Sequence, residues 1–192
     1  MYKRQIIDPG CYYIEEQNQL KIFVAENDIT IERLIMTHSH IDHVLGCHFV
    51  SKEFGVTPEV HNEDLQTFMG VKTYSEVYGF KNYIEAEEPK TTLKEGEHIE
   101  FDENNKLEIR FVPGHAPGHV VFINHEEKYV INGDCLFMGS IGRTDLPGGN
   151  HEQLLDSIRR ELFSLPDDYK VYCGHGPETT IGYEKQHNPF LN

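Results

Sequence analysis

Basic residues are scarce in this 192-residue chain: 17 Lys and Arg stand against 32 Asp and Glu, giving a formal charge of −15. That deficit argues against nucleic acid or an anionic membrane as a partner, since both are held mainly by Lys and Arg. Long apolar runs are missing as well, and nothing approaches the roughly 20 residues needed to span a bilayer. Cysteine is sparse: Cys11, Cys47, Cys135 and Cys173 are scattered, with no C-x-x-C pair. Such spacing suggests free thiols in a reducing compartment, and so a cytoplasmic location, more than a disulfide framework. No secretory signal opens the chain. Met1 to Gln5 nevertheless run straight into what reads as the middle of a structural element, as if a leader had been lost. No Ser-His-Asp pattern supplies a nucleophile, and no repeat, low-complexity run or linker divides the chain. One layered αβ domain over 1–192 is expected, with 38% hydrophobic residues to build its core.

What the chain does have is histidine in the right places. Thr37-His38-Ser39-His40-Ile41-Asp42-His43 follows the apolar run Leu34-Ile35-Met36, which reads as the end of a buried strand. Residues two apart in an extended chain point the same way, so His38 and His40 can present imidazoles to one point. Asp42 and His43 come where the chain should turn away, and can reach a second point nearby. Three imidazoles and a carboxylate within six positions are a ligand set suited to zinc, iron or manganese.

Periodicity and turn residues place the motif in a fold. A short strand ends at Asp8-Pro9-Gly10, and residues 15–26 read as an amphipathic helix with Leu20, Phe23 and Val24 on one face. A strand over 29–36 delivers the metal motif, and a helix over 44–54 follows. Residues 57–61 form a brief strand, and Asn62 caps a helix to about residue 69. From 70 to 88 the pattern is loop with short helical pieces. Strand pairs are expected over 96–101 with 106–112, joined by a turn at Asp102-Glu103-Asn104-Asn105, and over 120–124 with 128–131. Asn150 caps a helix over 151–163, with Gln153 at the reciprocal capping-box position. A last strand, Val171-Tyr172-Cys173, precedes a helix over 180–187.

Further ligands arise where apolar stretches end beside glycine. His115 stands in Val112-Pro113-Gly114-His115-Ala116-Pro117-Gly118-His119, Asp134 in Val130-Ile131-Asn132-Gly133-Asp134, and His175 in Val171-Tyr172-Cys173-Gly174-His175-Gly176. The stretch Gly139-Ser140-Ile141-Gly142-Arg143-Thr144-Asp145 has the same character without a histidine. Strand ends fix a ligand's backbone, and glycines let loops approach an ion closely. With the opening cluster these make seven ligands, too many for one tetrahedral zinc but suited to two ions sharing a carboxylate. Two bound cations would also make the site positive within an acidic protein.

These motifs, together with Gly133-Asp134-Cys135-Leu136-Phe137, Gly142-Arg143-Thr144-Asp145-Leu146-Pro147-Gly148-Gly149, Gly174-His175-Gly176-Pro177-Glu178-Thr179-Thr180 and Asn188-Pro189-Phe190-Leu191, resemble the metallo-β-lactamase superfamily. Within it the chain is similar to the small glyoxalase II-like hydrolases. The resemblance implies an α+β, four-layer αββα sandwich of two mixed sheets flanked by helices. It implies that His38, His40 and His115 hold one metal, that Asp42, His43 and His175 hold the other, and that Asp134 bridges them. Two divalent ions are implied, zinc first, with iron or manganese as alternatives. The implied reaction is attack of a metal-bridging hydroxide on a small-molecule thioester such as S-lactoylglutathione, with Asp42 and Asp134 in the catalytic centre.

Two departures from the family pattern bear on this. Members usually begin with a further strand or two before Ile6, and the larger glyoxalase II enzymes carry a C-terminal helical domain that binds glutathione. Arg143 lies where those two-domain relatives place a basic residue for the substrate carboxylate, although pairing with Asp145 is an equal alternative. The rival reading is a persulfide dioxygenase-like enzyme with one iron held by two His and one Asp; lactone or other ester hydrolysis on the same centre is a third. His119 is expected to support the ligands by hydrogen bonding. His48, His61, His98, His125, His151 and His187 lack ligand-like spacing, and Cys135 and Cys173 read as small packing residues.

Overall fold

A computed structural model describes residues 2–101 and 105–192, which divide into two units, 1–92 and 93–192. The turn read at Asp102-Glu103-Asn104 lies outside the described residues.

In the first unit, strand β1 (Tyr2–Ile7) begins earlier than Ile6, and helix α1 (Ile14–Glu26) carries the chain over to β2 (Ile29–Ile35). The two strands pair in parallel, which requires such a crossover. Glu16 caps α1 by accepting the backbone N–H groups of Tyr12 and Tyr13, both at 2.9 Å. Val24 is buried, but Phe23 is 58% exposed and does not belong to the packed face. The helix expected over 44–54 is two: α2 (Ile41–Val44) and α3 (Cys47–Phe54). They part at Gly46, whose N–H is drawn to the Pro9 carbonyl oxygen at 2.7 Å.

Strand β3 (Pro58–His61) continues the parallel pairing with β2, and a 3-10 turn over Asn62–Asp64 leads into α4 (Leu65–Tyr74). The His61 ring, rather than Asn62, takes the cap, accepting the Glu63 N–H at 3.3 Å. Strand β4 (Thr91–Leu93) completes a sheet ordered β1-β2-β3-β4. Its core gathers Leu34, Met36, Val44, Val50, Val60 and Phe68.

The second unit opens with β5 (His98–Glu100), β6 (Lys106–Phe111), β7 (Val120–Asn124) and β8 (Tyr129–Gly133), an antiparallel meander. Both strand pairs expected here form. Every residue of β7 is buried, as befits an inner strand. The short hairpin β9 (Leu136–Phe137) and β10 (Ser140–Ile141) comes next, then α5 (His151–Ser157), which ends in a π turn over Ile158–Leu162. Asn150 caps α5 as expected, its side-chain oxygen accepting the Gln153 N–H at 3.0 Å. Strand β11 (Lys170–Cys173) then pairs in parallel with β8, and β12 (Thr179–Thr180) leads into α6 (Ile181–His187). The sheet order is β12-β11-β8-β7-β6-β5. Val121, Ile123, Val130, Leu154, Ile158 and Val171 fill its core. Among the described residues, no helix is long and apolar enough to cross a membrane.

Four of the expected ligands lie beyond strand ends, His38 after β2, His115 after β6, Asp134 after β8 and His175 after β11, whereas Asp42 and His43 lie within α2.

Candidate metal centre

In the first unit the chain leaves β2, bends at Thr37 and reaches His40, which is extended (φ −66°, ψ 152°) and precedes the first turn of α2. Three imidazoles are thereby clustered. The His38 ring centroid lies 4.7 Å from that of His40 and 4.1 Å from that of His43. Asp42 opens α2, with Oδ2 3.8 Å from His43 Nε2. His38 and His43 are buried, whereas the Asp42 side chain is nearly half exposed. A tight turn supports this cluster from below. A Cβ on Gly10 would stand 2.6 Å from the Asp42 carbonyl oxygen, and one on Gly46 would stand 2.8 Å from the Pro9 carbonyl oxygen. Only glycine lets the two segments approach this closely.

In the second unit, Asp134 Oδ2 lies 3.9 Å from His115 Nε2 and 3.4 Å from His175 Nε2. His115 Nδ1 donates to the Arg143 carbonyl oxygen at 2.7 Å, since a carbonyl can only accept. The lone pair of that ring is therefore on Nε2, the nitrogen beside Asp134. His119 is fully buried, and its Nε2 accepts the Asp134 backbone N–H at 3.1 Å. It steadies the backbone of the expected bridging residue, the supporting role its position suggested.

Each unit thus offers imidazole nitrogens and carboxylate oxygens within a few ångströms of one another, and the Arg143 carbonyl oxygen fixes the His115 ring by accepting from it. That is the donor chemistry of a first-row divalent metal site, so the residues fit the metals the motifs imply. Asp8, not singled out in the sequence, also belongs to the cluster: its oxygen, His38 and His43 offer atoms within 4.8 Å of one another. The one signal for it was its place directly after an apolar strand.

Arg143 pairs with Asp145 through two hydrogen bonds of 2.7 and 2.8 Å, and this pairing lowers the Asp145 carboxyl to about 2. Three of the remaining histidines have other partners. His48 bonds the Glu85 carbonyl oxygen, His125 lies against Glu108 and Tyr169, and His187 bonds the Tyr183 carbonyl oxygen. All four cysteines are free thiols. Burial pushes Cys135 well above the ordinary thiol value and Cys173 up to about 11, so neither is poised as a nucleophile.

A family model described as the metallo-beta-lactamase superfamily matches residues 5–175. Hydroxyacylglutathione hydrolase GloC of Haemophilus influenzae is 43% identical over 189 residues, covering 97% of this chain and 86% of that protein. Among solved structures, the BLEG-1 B3 metallo-beta-lactamase has a TM-score of 0.87 and 31% identity, over 99% of this chain and 89% of its own. TTHA1623, solved in a di-iron-bound form, has a TM-score of 0.82 and 34% identity, over 96% of this chain and 88% of its own. The chain belongs to the metallo-β-lactamase superfamily of metal-binding hydrolases; it has that superfamily's α+β fold and is glyoxalase II-like in sequence.

Proposed function

We propose that this protein hydrolyses a small-molecule thioester such as S-lactoylglutathione on a centre of two divalent ions. The observation that carries the reading is the 43% identity to a hydroxyacylglutathione hydrolase along nearly the whole chain. The site residues take the roles the resemblance implies: His38, His40 and His115 for one ion, Asp42, His43 and His175 for the other, Asp134 for both. The short distances from Asp134 to His115 and His175 support a bridging carboxylate. The di-iron state of TTHA1623 supports two ions; zinc remains the first choice, with iron or manganese as alternatives.

Bound there, the ions would supply a water of lowered pKa and polarise the thioester carbonyl. Asp134 would orient that water and accept its proton, and Asp42, in the first turn of α2, would help hold the ions. The departing thiolate needs no general acid, since a thiol is already a good leaving group. Arg143, exposed beside Asp145, is offered to a substrate carboxylate, with Asp145 giving up its hold. The acidic surface disfavours nucleic acid and membrane partners, and four free thiols suit the cytoplasm.

Metal analysis of purified protein alongside thiol release from S-lactoylglutathione and from non-glutathione thioesters tests this. Two metal equivalents and chelator-sensitive cleavage of S-lactoylglutathione are expected. Cleavage of other thioesters alone keeps the chemistry and rejects the glutathione assignment. A single iron with oxygen uptake rejects the hydrolase reading altogether.

A further inference from the structure

A cleft of about 470 Å³ lies in the first unit among the start of α1, α3 and the segment 80–87, and none of the expected metal ligands lines it. Its volume falls within the roughly 300–1,000 Å³ of small-molecule sites. The walls are apolar and largely aromatic: Tyr12, Tyr13, Phe49, Ile14, Leu45 and Ile84. Tyr12 meets Tyr13 edge-on with ring centroids 5.1 Å apart, and meets Phe80 in the same way at 5.0 Å. Ile14 and Ile84 are 61% and 59% exposed, so a molecule lodged against them takes apolar surface out of water.

The polar groups of the cleft are mostly acceptors. His48 Nδ1 lies 2.9 Å from the Glu85 carbonyl oxygen. A carbonyl only accepts, so Nδ1 carries the hydrogen of the neutral ring and Nε2 keeps its lone pair. The same reasoning orients the Gln17 amide. Its Nε2 donates to the Cys11 and Tyr12 carbonyl oxygens at 3.4 and 3.2 Å, which leaves Oε1 to accept. Neither His48 Nε2 nor Gln17 Oε1 has a hydrogen-bond partner among the described residues. The Tyr12 hydroxyl accepts the Asn82 N–H at 3.1 Å and keeps its own hydrogen to give. The charges of the cleft are already balanced, Lys52 by Glu87 at 3.0 Å and Glu53 by Lys21 at 2.9 Å.

We propose that this cleft binds a neutral aromatic molecule carrying an O–H group, a phenol in the simplest case. The ring replaces water against Tyr12, Tyr13 and Phe49. A hydroxyl both donates and accepts, which matches two spare acceptors and one spare donor. Its hydrogen goes to His48 Nε2, on a ring that the Glu85 carbonyl holds in place. A charged ring finds no counter-charge that is not already taken.

The test titrates the purified chain at about pH 8, where a phenol is uncharged, with para-cresol, para-fluorotoluene and para-toluate. The fluoro compound keeps the size of para-cresol without its donor, and the toluate carries a negative charge. Binding is read by proton–carbon NMR of the isoleucine methyls and histidine rings, and folding by far-UV circular dichroism. Para-cresol should shift Ile14, Ile84 and His48 saturably, with a Kd of about 1 mM or tighter. Para-fluorotoluene should bind about 3–10-fold more weakly, the worth of one hydrogen bond, and para-toluate should also bind more weakly than para-cresol. His48→Phe keeps a ring without the acceptor and should erase the advantage of para-cresol over para-fluorotoluene. Ile84→Arg, at an exposed position, should fill the cleft and lower affinity for para-cresol at least tenfold with the fold retained. If His48→Phe does not fold, Ile84→Arg and the comparison of the three compounds decide. The proposal is overturned if para-cresol gives no saturable shift or acts away from the cleft. It is equally overturned if either other compound binds as well, or if Ile84→Arg keeps wild-type affinity. Shifts of Ile14 and Ile84 that follow protein concentration without any ligand would assign the cleft to contact between copies and overturn it too. The readout uses neither metal nor thioester, so it stands or falls separately from the proposed function.

Discussion

His115 Nδ1 lies 2.7 Å from the carbonyl oxygen of Arg143, so a residue noticed for its side chain serves the centre first through its backbone. The loop that brings this carbonyl to the ring has no room to spare. At Gly142 an added Cβ would overlap the Asp134 carbonyl oxygen and stand 2.9 Å from His115 Nδ1.

Gly142→Ala should therefore damage both stability and function. The methyl meets backbone on one side and a ring nitrogen on the other, neither of which can swing aside as a flexible side chain would. Overpacking of this kind costs about 1–3 kcal/mol, or roughly 2–12 °C in melting temperature at this chain length. Thermal unfolding reads the first effect and metal content the second, since His115 loses its orientation with the loop. A variant with wild-type melting and metal content would show that the loop is free to move.

Asp134→Ala should release one ion and leave little turnover. Asp134 Oδ2 stands 3.9 Å from His115 Nε2 and 3.4 Å from His175 Nε2, and in the proposed function it serves both ions. Losing it should cost on the order of a thousandfold in kcat/KM, equivalent to about 4 kcal/mol of transition-state stabilisation. Metal analysis and thiol release check the two effects separately. A fully active variant would refute the bridging role.

How much of this could be read in advance depended on whether the signal was local. The alternation that aims His38 and His40 together, and the Asn150 cap with Gln153 three positions on, are local and legible. Gly46 was not, because the bond that splits α2 from α3 comes from Pro9, far back in the chain. Phe23 has helical spacing yet faces solvent, since spacing alone does not say where the sheet lies. The hairpin of β9 and β10 has two residues per strand, too few for any period to register. Asp8 was missed for the same reason as Gly46. Its contacts with Thr37 and His43 exist only once the folded β1–β2 pair brings these residues within reach.

The Glu108 carboxylate gives the second unit a predictable acid response. Burial alone would raise its pKa, but hydrogen bonds and charge from Arg110 and His125 outweigh that and bring it below the ordinary value. A carboxyl lowered on folding contributes stability above its unfolded pKa, about 4.3, and loses it as pH falls through the lower folded value. Glu108→Gln should therefore lower the melting temperature near neutral pH. The gap to wild type should close as acid protonates Glu108 below about pH 4. Melting curves between about pH 3 and 7 read this directly, and a gap independent of pH would assign the loss to packing instead.

Glu184 ought to matter for stability although it touches none of the expected ligands. It is fully buried on α6, and it accepts from the Thr179 hydroxyl at 2.5 Å, the Gly139 N–H at 3.0 Å and the Asn188 side-chain amide at 2.8 Å. Asn188 in turn donates to the Ser140 carbonyl oxygen at 2.9 Å, so the carboxylate ties the β9–β10 turn to the end of the chain. Glu184→Ala strands these donors without water, at about 1–3 kcal/mol for each one left unsatisfied. Glu184→Gln keeps the volume and one acceptor but turns an N–H₂ towards the others, so its loss should be smaller. The Ser140 turn leads directly into Gly142 and Arg143, the stretch that holds His115. Thermal unfolding should consequently rank wild type above Glu184→Gln above Glu184→Ala, with metal affinity falling in the same order. If melting falls while metal affinity stays constant, the anchor serves the fold alone and the His115 loop keeps its shape without it.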